Sequence, residues 1–261
     1  MKRENIAVPE ELQQFFKAHP RLALAFSGGC DSAYLLYAAV ACGADVRAYY
    51  VRSQFQPDFE LEDARMLVDK LGQKLHVLEL DILADEQVRL NPANRCYYCK
   101  KRIFQAILEA AYADGYCLIA DGTNASDDDS DRPGMRALQE MQVVSPLRSC
   151  KIGKKQLRML SEVAGLFTWN KPAYACLATR IPAGMPIDAE TLKRVERAEV
   201  QLAGMGFEGM RVRVTPAGAR LEVTQKQLPL VLEKREALIA ALERDFREIT
   251  LDLRPRREIE V

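Results

Sequence analysis

Between Leu22 and Ala120 short apolar runs alternate with longer segments of helical period, and this alternation limits the chain to very few architectures. The strand-like runs are Leu22 to Phe26, Val46 to Val51, Leu75 to Leu80 and Leu118 to Ala120; the helical segments between them are 33–42, 59–71 and 95–113. Such a βαβα rhythm is satisfied most simply by an α/β fold, a parallel sheet flanked by helices. Gln142 to Val144 reads as a fifth strand, followed by a helix from about Lys154 to Ala164 that ends at Gly165. In open sheets of this kind ligands sit beyond the carboxyl ends of the strands.

The rhythm changes after the segment Asn170 to Pro186, which has three prolines and little periodicity and reads as an ordered connector. Beyond it a helix at 188–203, strands at 210–214 and 219–224 joined by a turn at Pro216 to Gly218, a helix at 228–246 and a strand at 248–253 predict a smaller α+β unit. The expected layout is residues 1–170 for a nucleotide-binding domain and 171–261 for a substrate and oligomerisation domain, with a homo-oligomer expected. The chain has 261 residues, 48% of them hydrophobic, enough for a sizeable core, and disorder, collagen and coiled coil are excluded. Thirty-seven basic residues balance 37 acidic ones, so no net field favours an extended polyanion and nucleic acid is not an expected partner. MKRENIAVPEEL has no apolar signal core and no apolar run reaches a membrane span, so a soluble cytoplasmic protein is expected, with no membrane partner. The acidic run Asp127 to Asp131 reads as a solvated loop.

The first strand runs straight into Ser27-Gly-Gly-Cys-Asp-Ser32 and then into the first helix. Glycines let a backbone approach an anion closely, and the free amides and dipole of a first helical turn direct positive charge toward it. An ordinary tight turn with a Ser or Asp cap would need one such side chain and not the whole string. The P-loop pattern G-x-x-x-x-G-K-[ST] is absent. Gly204-Met-Gly-Phe-Glu-Gly209 does match G-x-G-x-x-G, but it follows a helix and precedes a strand, the reverse of a dinucleotide fingerprint, and reads as a helix C-cap and turn. SGGCDS resembles the loop of the N-type ATP pyrophosphatases, which split ATP between its α and β phosphates and leave an adenylated substrate. That resemblance implies that Ser27, Gly28, Gly29 and Ser32 hold pyrophosphate and that Asp31 helps place Mg²⁺.

Seven cysteines, at 30, 42, 96, 99, 117, 150 and 176, suggest core thiols, metal ligands or sulfur chemistry before disulfides. Asn94-Arg-Cys-Tyr-Tyr-Cys-Lys100 opens a helix with Asn94 at the cap, and a three-residue step puts Cys96 and Cys99 on one helical face. The dipole and the neighbouring Arg95, Lys100, Lys101 and Arg102 favour thiolate. A redox pair, half of a zinc site or two half-buried thiols fit the same spacing; His19 and His76 complete no zinc pattern. Cys176, in the connector, is a third thiol, and three thiolates invite an iron–sulfur cluster with one iron open. Cys30, Cys42, Cys117 and Cys150 read as packing.

Together with LAFSGGCDS and RCYYCKKRIF, the strings Asp121-Gly-Thr-Asn124, Arg132-Pro-Gly134, Ser145-Pro-Leu-Arg148, Gly153-Lys-Lys-Gln-Leu-Arg158, Trp169-Asn-Lys-Pro172 and Ala175-Cys-Leu-Ala-Thr-Arg-Ile-Pro182 resemble the LarE family. The likeness is collinear from residue 24 to beyond 220. The resemblance implies an ATP-dependent sulfur transferase that adenylates the carboxylates of a pyridinium-3,5-dicarboxylate mononucleotide and turns them into thiocarboxylates, in nickel-pincer cofactor biosynthesis. It implies as cofactors ATP, Mg²⁺ and, in members with three cysteines, a [4Fe-4S] cluster, here on Cys96, Cys99 and Cys176. Other members give up the sulfur of the A-C-L-A cysteine, here Cys176, which becomes dehydroalanine. Thr179 and Asn170 stand where the family commonly has Ser and Asp; Thr keeps the hydroxyl, whereas Asn removes a charge.

On the substrate side, period two sends Arg211 and Arg213 to one face of their strand, where with Thr179 and Arg180 they are candidates for gripping the substrate's phosphate. An ion pair with Glu222 on the neighbouring strand explains these arginines equally well. Lys154 reads either as a phosphate contact or as a surface lysine, and Thr123 as a nucleotide contact or a turn residue. A tRNA thiolation enzyme, an NAD-synthetase-like amidotransferase and a non-catalytic nucleotide-sensing module are the alternatives. The first would need a broad basic surface, whereas the only dense basic tract is Arg254 to Arg257; the second leaves the three cysteines unemployed.

Overall fold

The computed structural model describes residues 8–127, 133–172 and 174–256. Most of the acidic run after Asp127, Arg132 of the Arg-Pro-Gly string, Ala173 of the connector and Arg257 of the basic tract lie outside the described residues, as does MKRENIA at the amino end.

The chain forms two compact units. The first comprises the residues up to Ser53, Asp58–Ile82 and Asn94–Lys171. Its helices and strands follow in the order α1 Glu10–Ala18, β1 Arg21–Ala25, α2 Cys30–Ala41, β2 Asp45–Arg52, α3 Asp58–Lys70 and β3 Leu75–Glu79. After α4 Glu86–Arg89, which belongs to the other unit, come α5 Arg95–Ala113, β4 Ile119–Ala120, α6 Pro133–Glu140, α7 Pro146–Ser149 and α8 Lys154–Val163.

The four strands form a parallel sheet in the order β3-β2-β1-β4, with Leu24 opposite Ala48 and Ala120. Alternation along the strands divides the core. Leu22, Leu24, Val46, Ala48 and Tyr50 pack against α1, α2, α3 and α8 on one face, and Ala23, Tyr49 and Val51 pack against α5 and α6 on the other. Both faces are therefore apolar, which is why these strands read as nearly continuous hydrophobic runs.

The fifth strand expected at 142–144 is reduced to a single parallel bridge between Val144 and Ala120. Gln142 has φ 56°, the amide of Val143 is used by Leu138 O at the end of α6, and Pro146 closes the run. Only Val144 has both backbone groups to spare, its amide donating to Ile119 O at 2.9 Å and its carbonyl accepting from Asp121 N at 2.9 Å. These bonds bring the 121–124 loop to the carboxyl end of the sheet.

The second unit comprises Gln54–Pro57, Leu83–Ala93 and the chain from Pro172. Its chief elements are α9 Ala189–Gly204, β5 Arg211–Val214, β6 Gly218–Glu222, α10 Leu228–Glu233, α11 Arg235–Leu242 and β7 Glu248–Leu251. Strand β6 is central, antiparallel to β5 and parallel to β7. Asp188 caps α9 by accepting from Thr191 N at 2.8 Å. The Gly204–Gly209 string closes α9 with Gly206 at φ 90°, the helix-end role read from its order. The single helix expected at 228–246 is broken at Lys234 (φ −99°, ψ 18°), whose ammonium donates to Met205 O. Among the described residues no helix is long and apolar enough to cross a membrane.

Candidate active site

The SGGCDS loop links the carboxyl end of β1 to the amino end of α2. Gly28 has φ 74°, and a Cβ there would lie 3.2 Å from that of Ala64, so both conformation and space require glycine. Gly29 is the N-cap of α2. Ser32, 2% exposed, braces the loop from within: its hydroxyl accepts from Ser27 N at 3.3 Å, lies 3.2 Å from Ser27 Oγ and donates to Gly29 O at 3.3 Å. The amides of the first turn of α2 have no partner within the helix, the kind of end at which anions bind.

Two further segments converge on this turn. A Cβ on Gly122 would lie 2.9 Å from Ser32 N, so the Asp121–Asn124 loop rests directly on the backbone of α2. Asn124 donates from Nδ2 to Asp31 Oδ2 at 3.2 Å. Lys154, the first residue of α8, donates from Nζ to Asp31 Oδ1 at 2.5 Å, and its amide is capped by Ser126 Oγ at 2.9 Å. The amino ends of α2 and α8 thus meet at Asp31, where Lys154, its side chain 36% exposed, has an acidic partner. Thr123 turns its amide and hydroxyl onto Asp121, which also accepts from Ser145 Oγ at 2.6 Å, so Thr123 holds the turn.

Cys30, in the variable position of the loop, faces the core 3.6 Å from Ser161 Oγ. Burial raises its thiol above the ordinary range, and at 5% exposure it packs with the core. Arg158 on α8 donates to Trp169 O at 2.8 Å, and Lys171 pairs with Asp63 at 2.6 Å, so the Trp-Asn-Lys string is tied to α8 and α3.

At the start of α5 the side chain of Asn94 makes no capping bond. Cys96 is exposed and Cys99 buried. Cys42 and Cys150 pack at the margin of the core as expected, whereas Cys117 is exposed, because it precedes β4 instead of lying in it. Among the described residues no three His, Cys, Asp or Glu side chains gather so as to hold a metal ion. Cys96 and Cys99 belong to the first unit and Cys176 to the second.

In the second unit Cys176 is half-buried and heads a short 3-10 turn, Leu177–Arg180. Arg180 is fully buried. Its Nε and Nη2 donate to the two oxygens of Glu199 at 2.9 and 2.8 Å, and its Nη1 to Ala175 O at 2.6 Å, Cys176 O at 3.2 Å and Thr179 Oγ1 at 2.9 Å. Direct contact with a substrate phosphate is therefore closed to Arg180, and the expectation is corrected: it grips the backbone around Cys176. Glu199 also accepts from Tyr174 OH at 2.7 Å and Val212 N at 2.9 Å. Burial works to raise the Glu199 carboxyl, but Arg180, Tyr174 and the Val212 amide more than offset it and hold it below its usual value.

Arg213 donates from Nε to both oxygens of Glu222 at 3.0 Å, the cross-strand ion pair weighed for this strand, and from Nη1 to Thr179 O. Arg211, 5% exposed, stacks 5.0 Å from the centroid of Tyr174 and donates to Met210 O at 2.7 Å. Burial, and then the like charge of Arg180, pulls its guanidinium down to about 10. A buried cation so disfavoured would be stabilised by an arriving anion.

Glu199 and Tyr174 escaped the motif reading. Glu199 left one trace: it shares the buried stripe of α9 with Leu192, Val195 and Leu202, where a carboxylate needs a cationic partner.

No family model matches the chain. It is 36% identical over 220 residues to an uncharacterised protein of Synechocystis sp., covering 84% of this chain and 82% of the other. It is 31% identical over 236 residues to the pyridinium-3,5-bisthiocarboxylic acid mononucleotide synthase of Lactiplantibacillus plantarum, covering 89% of this chain and 86% of that enzyme. Likeness to a tRNA-specific 2-thiouridylase of Clostridium botulinum, 30% over 182 residues, spans 58% of this chain and 52% of that one.

Proposed function

Because the chain belongs to the family of the pyridinium-3,5-bisthiocarboxylic acid mononucleotide synthase, an ATP-dependent sulfur transferase family, we propose that it converts both carboxylates of a pyridinium-3,5-dicarboxylate mononucleotide to thiocarboxylates. The observation that carries this reading is the meeting of Asp31, Lys154 and Asn124 at the phosphate loop, in a chain similar to that synthase over 89% of its length.

A carboxylate has oxide as its leaving group until it is adenylated. ATP bound with its phosphates on the amides of the Ser27–Ser32 turn suffers attack by the carboxylate at the α-phosphorus, and pyrophosphate leaves. Lys154 neutralises charge developing on the phosphates, and Asp31 is the carboxylate that would hold Mg²⁺, whose role is to offset the same charge. The acyl carbon then bears AMP.

Cys176 supplies the sulfur. Its thiolate attacks the acyl carbon, AMP departs, and a thioester joins substrate to protein. Elimination across Cα–Cβ of Cys176 then leaves the sulfur on the substrate as thiocarboxylate and the residue as dehydroalanine, so each copy of the chain gives one sulfur and a second copy supplies the other carboxylate. Arg211 and Arg213 form the end of the second unit suited to the substrate's phosphate. Arg213, whose side chain is 33% exposed beyond its pair with Glu222, is the more accessible of the two, and Arg211 lies beside it on the strand.

A second reading, sulfide carried on a cluster, draws on the exposed Cys96 three residues before Cys99. The test combines both. ATP, Mg²⁺ and the pyridinium dicarboxylate mononucleotide are added to anaerobically purified protein, and pyrophosphate, AMP, thiocarboxylate, iron and labile sulfide are measured. AMP formed only with the mononucleotide, in iron-free protein whose Cys176 loses sulfur, is the expected result. Bound iron and sulfide with Cys176 intact would favour the cluster, and AMP formed only with tRNA would overturn the substrate.

A further inference from the structure

The carbonyl oxygen of Cys176 accepts three hydrogen bonds: from Thr179 N at 3.0 Å, Thr179 Oγ1 at 2.8 Å and Arg180 Nη1 at 3.2 Å. The 3-10 turn accounts for the first, and a threonine folding back on its own turn is a common local bond. Neither accounts for a fully buried guanidinium on the same oxygen. A ground-state carbonyl has two lone pairs and is satisfied by two donors. Three donors, one of them cationic, suit an oxygen that gains negative charge.

Arg180 is also held in a fixed pose. Glu199 takes its Nε and Nη2, Ala175 O takes Nη1 from the other side of Cys176, and Tyr174 stacks 4.6 Å from the guanidinium. Its Nη1 donates to Thr179 Oγ1 at 2.9 Å, which leaves the threonine proton to point at Cys176 O. The donors are preorganised and need no rearrangement when charge arrives.

We propose that Thr179 and Arg180 form an oxyanion cradle for the Cys176 carbonyl, making them catalytic residues of the elimination that breaks the Cβ–Sγ bond. The inference rests on Cys176 being the sulfur source. Once Sγ carries the acyl group, the Cα proton leaves to solvent water and its electron pair moves into the carbonyl, giving an enolate whose oxygen lies among the three donors. The pair then returns to form the Cα–Cβ double bond, and the Cβ–Sγ pair stays on sulfur as the thiocarboxylate. One proton and one sulfur leave the residue, and no oxidant or reductant is consumed. The same cradle explains a cation placed where it cannot reach substrate.

The test follows the thioester on intact protein by mass spectrometry. After one turnover with ATP, Mg²⁺ and the pyridinium dicarboxylate mononucleotide, the acyl adduct is separated from excess substrate and its decay to dehydroalanine is timed. Thr179→Val keeps the turn's shape and removes the hydroxyl; the adduct is expected to accumulate and decay about 100- to 1,000-fold more slowly, in line with loss of one oxyanion donor. Thr179→Ser restores the hydroxyl and the fast decay, which a merely steric role for the residue would not require. Where Val is not accommodated, Thr179→Ala removes the same donor without added bulk. Decay at the wild-type rate in the hydroxyl-free variant overturns the cradle while leaving Cys176 as sulfur source. Thiocarboxylate formed by wild-type protein with Cys176 intact overturns the sulfur source itself, and the cradle with it.

Discussion

At the scale of single residues, two buried or half-buried ion pairs do different work. Lys154 and Asp31 meet at 2.5 Å with a quarter to a third of each side chain exposed, so phosphate and metal can compete for them. Lys154→Ala should lower ATP-dependent pyrophosphate release by roughly 10- to 100-fold, the worth of one charge-assisted hydrogen bond of about 1.5–3 kcal/mol. Release unchanged in that variant would remove Lys154 from the adenylation step. Arg180 and Glu199, by contrast, are almost wholly excluded from water. Glu199→Gln leaves a buried guanidinium without its counter-charge and should cost about 3–5 kcal/mol of stability, read as a fall in the urea midpoint. A midpoint shifted by less than the equivalent of about 1 kcal/mol would mean that the pair is hydrated, as surface pairs are.

At the scale of elements, the site is made by helix ends and the loops pressed against them. The amino ends of α2 and α8 converge because Gly122 has no side chain to hold the Asp121–Asn124 loop away from Ser32. In Gly122→Ala a methyl group would stand 2.9 Å from Ser32 N, a contact that only backbone movement relieves. A loss of about 1–3 kcal/mol in stability is expected, with weakened ATP binding by calorimetry, because the phosphate-facing amides move with the backbone. Retention of full ATP affinity would show that the loop does not shape the turn. The one-bridge contact of Val144 has the same significance: it anchors this loop, and a longer strand is not needed for that.

At the scale of the whole molecule, Asp114, Glu140, Asp188, Glu199 and Asp245 are all held below their ordinary carboxyl range. Hydrogen bonds from Tyr49 and Arg47 do this for Asp114, from Tyr97 and Lys101 for Glu140, and from Arg197 for Asp245. For Asp188 burial opposes and the Thr191 amide and hydroxyl prevail. A carboxyl depressed in the folded state contributes stability that is present above its unfolded value, about 4, and lost as pH falls through the folded value. Thermal stability should therefore be flat from neutrality to about pH 5 and decline below about pH 4. A melting temperature that rises on acidification in that window would contradict the assignment. At the alkaline end burial raises Tyr34, Tyr49, Tyr50 and Tyr174, so their contribution persists below about pH 10 and is lost only as pH climbs past it.

Local chemistry was legible in the chain itself. The alternation of apolar runs and helical period yields the parallel sheet, since strands buried on both faces must be apolar throughout; the glycines of SGGCDS mark the anion turn, because only glycine tolerates the φ and closeness of Gly28. Asp31, Cys176 and Arg180 could be singled out as candidates for the same reason, that their side chains are chemically special wherever they lie. Which partner each one meets depends on long-range packing that no local period encodes. Asp31 is 123 residues from Lys154 and 93 from Asn124; Arg180 finds Glu199 on a different element and is wholly buried with it. The fate of 142–144 as one bridge, and of the three donors on the Cys176 carbonyl, was likewise decided by tertiary structure. A hydrogen bond is directional and short, so its partner is known only once the whole backbone is in place.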